Sequence, residues 1–118
     1  MDNDITIIER PITLAELKEI ASKRFGDMVK GVVDVEKKIM ALGADLHADE
    51  EAWLLEKGSK QANLWGINLY PDLPMPDFLE YDSMINVRPN QNNRSRGVES
   101  EEIREKIREI VGELIIKN

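Results

Sequence analysis

A histidine set among acids is the first group in this sequence with chemistry to offer. His47, the single histidine, follows Asp45 by two residues and precedes Asp49 by two, with Glu50 and Glu51 adjoining. In an extended segment, side chains two apart share one face about 7 Å apart. Asp45, His47 and Asp49 would then bracket one imidazole with two carboxylates. Such a set could ligate a divalent cation, or the carboxylates could hold His47 as a general base. His47 and Asp49 are therefore the candidate catalytic residues, and Asp45, His47 and Asp49 the candidate metal ligands. A closed metal shell needs a further ligand such as Glu80 or Asp82 from another strand, so the sequence by itself calls for no metal and no cofactor. The plainer alternative is a solvated histidine whose pKa is raised by surrounding negative charge.

The second group runs from Ser83 to Val98, which contains no acid and three arginines, Arg88, Arg94 and Arg96. Asn86, Asn90, Gln91, Asn92 and Asn93 add amide donors and acceptors, and the stretch leads into a helix start. Arginine forks and free backbone N–H groups grip phosphate and carboxylate. Asn86, Arg88, Asn93, Arg94 and Arg96 are thus the candidate binding residues for an anionic group. Glu101 and Glu102 would repel an anion at the helix terminus itself. The alternative is a solvated, turn-rich loop with its arginines paired to surface acids. Gly58-Ser59-Lys60-Gln61 lacks the spacing of a phosphate loop and reads as a turn. Trp53 and Trp65 flank that turn, where core or cross-strand packing competes with a base-stacking role.

The elements that must position these groups follow from local patterns. Ile5 to Glu9 is β-branched and apolar, and stops at Arg10-Pro11, as a short strand would. Thr13 and Glu16 form a capping box around a staple of Ile12 and Leu17, which predicts a helix from Thr13 that Gly26 ends. Met28 to Ala48 fits two periods. Met28, Val32, Val35, Ile39 and Leu42 repeat at helical spacing, against a valine density and a Gly31 that disfavour helix. From Met40 a period of two also fits, so the reading is helix through Leu42 and strand after Gly43. Gly58 predicts a β-hairpin between Ala52–Leu55 and Leu64–Tyr70, with a helix over 49–57 as its competitor. Pro71 to Asp77 is a stiff loop, and Phe78 to Arg88 alternates as a strand. Ser100 caps a C-terminal helix whose stripe runs Ile103, Ile107, Ile110, Val111, Leu114 and Ile115. With Ile116, that stripe is broad enough for two chains to pair as a homodimer. The result is a single α+β domain over residues 1–118: a short N-terminal strand and helix, an antiparallel β meander, and a C-terminal amphipathic helix packed on the sheet.

Composition narrows the function classes. The 118 residues carry 16 basic and 23 acidic side chains, a net −7, which argues against duplex DNA as a partner. The absence of cysteine excludes disulfides, thiol nucleophiles, cysteine zinc sites and iron–sulfur clusters. Apolar residues at 42% support a packed core. Neither a signal-type start at Met1 to Asp4 nor an apolar run of about 20 residues is present, and the expected location is the cytoplasm.

Several segments together carry a resemblance. His47-Ala48-Asp49 with Glu51, Gly58-Ser59 with Gln61, Trp65-Gly66 with Asn68, and Ile85-Asn86-Val87-Arg88-Pro89 with Asn93-Arg94 resemble a small prokaryotic family of unknown function, from about Leu14 to Leu114. The resemblance implies a small cytoplasmic single-domain protein and carries over no catalytic residue. The order of elements is also similar to that of ribosome-dependent toxin endoribonucleases, which are usually basic where this chain is acidic; shared order does not imply shared function. The sequence therefore supports a noncatalytic binding protein that uses its Asn/Arg-rich surface for a small anionic ligand or a protein partner. The alternative is a small hydrolase or nuclease built on His47 and its neighbouring carboxylates.

Overall fold

The computed structural model describes residues 5–117; Met1 to Asp4, read above as lacking a signal-type start, lie outside the described residues. The capping box forms as the spacing predicts. Thr13 Oγ1 accepts from the Glu16 N–H at 3.1 Å and Glu16 Oε1 accepts from the Thr13 N–H at 2.9 Å. They open α1 (Leu14–Ser22), after which Gly26, at φ +86°, donates its N–H to the Ala21 carbonyl. Ahead of it lie β1 (Thr6–Ile8) and β2 (Ile12–Thr13).

The next segment corrects the sequence reading. Residues 28–42 are not a helix but a hairpin of β3 (Val29–Asp34) and β4 (Ile39–Leu42). Asp34 makes the turn: its Oδ1 accepts from the N–H groups of Glu36 and Lys37, both at 2.9 Å, while Lys38 takes φ +58°. Packing decides for strand, because Val29, Val33, Met40 and Leu42 face one layer while Val32 and Ala41 face the other. Gly31 fits between Leu42 and Ile67, where an added Cβ would lie 2.7 Å from a Leu42 methyl. The strand expected after Gly43 is also absent. Gly43 turns at φ +101°, and α2 (His47–Glu56) begins instead. The expected hairpin around Gly58 is likewise replaced by the competing helix, which leaves at Gly58 with φ +102°. Trp53 consequently lies on α2 and not across a strand from Trp65.

β5 (Leu64–Leu69) follows as expected, but the strand expected over 78–88 shortens to β6 (Leu79–Glu80). The strands form an antiparallel sheet in the order β1-β4-β3-β5-β6. Ser100 Oγ caps α3 (Glu101–Leu114), which packs Ile107, Ile110, Val111 and Leu114 with Leu17 and Ala21 of α1 onto one sheet face. Leu54 of α2 joins Val32, Ala41 and Leu64 on the other face. β7 (Ile115–Ile116) closes the chain parallel to β2. The fold is a single α+β domain with an antiparallel sheet and a C-terminal helix packed on it, as the sequence indicates. Among the described residues, no helix is long and apolar enough to cross a membrane.

Candidate functional site

Past Leu69, β6 pairs with β5 only at Asn68 and Leu69, so the remaining outer edge of β5 needs partners for its peptide groups. Side chains of the 83–98 segment supply them. Asn86, fully buried, accepts the Gly66 N–H on Oδ1 at 2.8 Å and donates Nδ2 to the Gly66 carbonyl at 3.0 Å and to the Arg96 carbonyl at 2.9 Å. One amide thus stands in for a paired residue of a neighbouring strand. The close approach requires glycine: a Cβ on Gly66 would fall 2.4 Å from the Ser83 Cβ and 2.6 Å from its Oγ. The chain cannot continue as a backbone-paired strand here. Ser83 instead caps a short 3-10 turn over Met84–Asn86.

Arg88 completes the edge. Its Nη2 donates to the Leu64 carbonyl, Nη1 to the Gln61 carbonyl at 2.8 Å, and Nε to the Ile85 carbonyl at 2.9 Å. The guanidinium lies 4.5 Å from the Trp65 ring centroid, a cation–π stack. Burial works against its charge and lowers its pKa, while Glu51 acts to retain the charge. Asn93, also buried, donates Nδ2 to the carbonyls of Asn86, Gly97 and Ser95 and accepts the Glu99 N–H at 2.8 Å. Its backbone bonds that of Arg88 in both directions, closing residues 88–93 into a loop.

The five candidate anion-binding residues therefore divide. Asn86, Arg88 and Asn93 point inward and are committed to carbonyls and N–H groups of the chain itself. Arg94 and Arg96 remain exposed; Arg96 Nε meets Asp82 Oδ1 at 2.6 Å. The Glu99 carboxylate accepts the N–H groups of Arg94 and Ser95, both at 2.8 Å, and those bonds hold its pKa below the usual range.

The histidine group does not converge. His47 and Asp49, two apart on α2, share no face, and Asp45, ahead of the helix, pairs instead with Arg24 at 3.1 Å. Asp49 is exposed in the first turn of α2. Among the described residues no group of three His, Cys, Asp or Glu side chains could hold a metal ion. His47 is 8% exposed, and its Nε2 lies 2.8 Å from the Ile67 carbonyl, which can only accept; Nε2 therefore carries the proton. The expectation of a raised pKa is reversed. Burial, aided by the Lys30 charge, lowers it against the opposing pull of Ile67, Asn68 and Asp82.

Further polar side chains join these, of which Tyr70 was given no role by type or spacing. Asn68 donates Nδ2 to Glu80 Oε1 at 2.9 Å and to the Asp82 carbonyl at 3.2 Å, and its buried Oδ1 is left without a hydrogen-bond partner. Tyr70 also donates to Glu80, and burial together with that carboxylate pushes its phenol up to about 12. Ser59 donates to Asp34 Oδ2 at 2.6 Å, which ties the end of α2 to the β3–β4 turn. Glu50, buried at the start of α2, accepts the Ala44 N–H at 3.0 Å. The segments His47–Glu51, Gly58–Gln61, Trp65–Asn68 and Ile85–Arg94, distant in sequence, are thus linked by hydrogen bonds and packing around β5.

Comparison with known proteins gives a match over nearly the whole chain. No curated protein and no solved structure matches it. The model of the family described as "Protein of unknown function (DUF5674)" matches residues 6–114, so the chain belongs to that family.

Proposed function

We propose that this chain is a noncatalytic binding protein whose recognition face is the outer surface of the 83–98 loop. The supporting observation is the scaffold beneath it: of three buried polar side chains, Asn86 and Arg88 hold an irregular segment against β5 and Asn93 ties that segment to itself. Loops held rigid by a fixed scaffold are the usual bearers of recognition, because ordering has already been accomplished before the partner arrives. Arg94 and Arg96 then supply exposed cationic forks for a carboxylate or phosphate on a small anion or an acidic protein partner. Exposed Met84 and Val87 add apolar contact beside them in sequence. The hydrolase alternative has less support, since His47 spends its Nε2 proton on Ile67 and neither Asp45 nor Asp49 joins it.

The test is a titration of the isotopically labelled chain with inorganic phosphate and with a polyglutamate peptide. The expected outcome is movement of the Arg94 and Arg96 Nε–H signals, weakening with added salt, while the Asn86 and Asn93 amide signals hold still. Arg94→Ala with Arg96→Ala should abolish the response and leave the melting temperature nearly unchanged. Arginine signals that stay fixed with both probes would remove this reading.

A further inference from the structure

A recess lies away from β5, where α1, the α3–β7 junction and the proline-rich segment 71–79 meet. It is an open groove of about 680 Å³, walled by Leu14, Leu73, Met75, Val111, Ile115 and Ile116. Leu73, Met75 and Ile116 are among the large apolar side chains the fold leaves exposed. Apolar surface gathered into one recess marks a binding site more than the same residues scattered singly.

Gly112 supplies an independent observation. It sits inside α3, where glycine weakens a helix relative to alanine, and it lines the groove. Its φ is not left-handed, and a Cβ built there meets no atom within 4 Å. Packing inside the chain therefore does not require a glycine. A side chain at this position would enter open space at the groove wall.

The charges around the recess indicate the occupant. Lys18 and Lys117 line it against one acid, Asp72, and Arg108 lines it with its charge already matched on α3, so the cations open to a ligand are the two lysines. Arg108 is held by Glu101 and Glu105, and Lys18 reaches Asp72 at 3.5 Å with both side chains more than half exposed. An exposed pair of that kind is worth little and opens readily to another carboxylate. The volume lies within the roughly 300–1,000 Å³ of small-molecule sites. We infer that the groove binds a single-chain carboxylic amphiphile, a medium- or long-chain fatty acid. Its hydrocarbon lies along Val111 and Gly112 and its carboxylate meets Lys117 and Lys18.

The experiment titrates the full chain with dodecanoate below its micelle concentration, with dodecanol as the uncharged control. Saturable dodecanoate binding is expected, moving the methyl signals of Leu73, Met75 and Ile116, with dodecanol weaker. Gly112→Phe fills the groove, and the exposed-site variant Ile116→Asp puts charge in it. Each should weaken dodecanoate binding by about tenfold or more, the loss expected when about two methylenes lose their cover. Lys117→Glu should weaken dodecanoate and leave dodecanol unchanged. Three results would overturn the inference: no saturable binding, dodecanoate affinity in both groove variants unchanged from that of the parent chain, or a dimer of the amphiphile-free chain that Ile116→Asp dissociates, which would make the occupant a second copy.

Discussion

At Gly66 a single hydrogen atom in place of a methyl group decides how the 83–98 segment reaches the sheet. Gly66→Ala would drive a Cβ into Ser83, and overpacking of this kind costs about 1–3 kcal/mol. Ser83→Gly in the same chain should return most of the loss, because it removes the atoms that clash; urea denaturation of the two singles and the double measures the coupling. His47 carries a different kind of prediction. Its folded pKa is lowered by burial, so the unfolded chain takes up the proton first. Its contribution is therefore constant above the unfolded value of about 6.5 and is lost as pH falls from there toward the lower folded value. Denaturation midpoints between pH 8 and pH 5 should decline across that window. His47→Gln, whose amide can still donate to Ile67, should flatten the decline. An unchanged slope in that variant would assign the pH dependence elsewhere.

The 83–98 segment behaves as an element although it contains little regular secondary structure, and Asn86 is the tie that makes it one. Asn86→Ala would orphan the Gly66 N–H and carbonyl and leave the Arg96 carbonyl only the Ser83 N–H, at about 1–3 kcal/mol for a buried polar group left unsatisfied. A total loss of about 2–4 kcal/mol is expected, with faster amide exchange at Gly66 by hydrogen-exchange measurement. Asn86→Asp should not rescue it, since a carboxylate accepts the Gly66 N–H but donates to neither carbonyl. How legible each element was in the sequence depends on where its specifying interactions lie. α1 and α3 are capped by their own residues, Thr13 with Glu16 and Ser100, and both could be read locally. β3 is covered on both faces, so Val29, Val32 and Val33 are all buried and the strand alternation disappears. α2 has no side-chain cap at Leu46 and turns His47 and Glu50 inward beside Leu54, which hides its helical stripe.

For the molecule as a whole, residue types announced the polar layer, but not the direction in which it points. Asparagines and arginines in an acid-free stretch look the same whether they face solvent or a sheet edge. β6 ends at Glu80, and Asn86 and Arg88 turn inward to the edge it leaves uncovered. Arg94 and Arg96 lie outside, while Glu51 acts on the buried Arg88. A Cα radius of gyration of 13.0 Å is close to the ~13.5 Å expected of one compact body of this length. The use of side chains to finish β5 has one further consequence. An amide and a guanidinium satisfy the edge without extending it, so the sheet ends there with no row of free backbone groups on offer. A copy in which that loop lifted away would present the edge of β5 as a template for another chain's strand. The same contacts that shape the loop therefore also protect the protein from edge-to-edge aggregation.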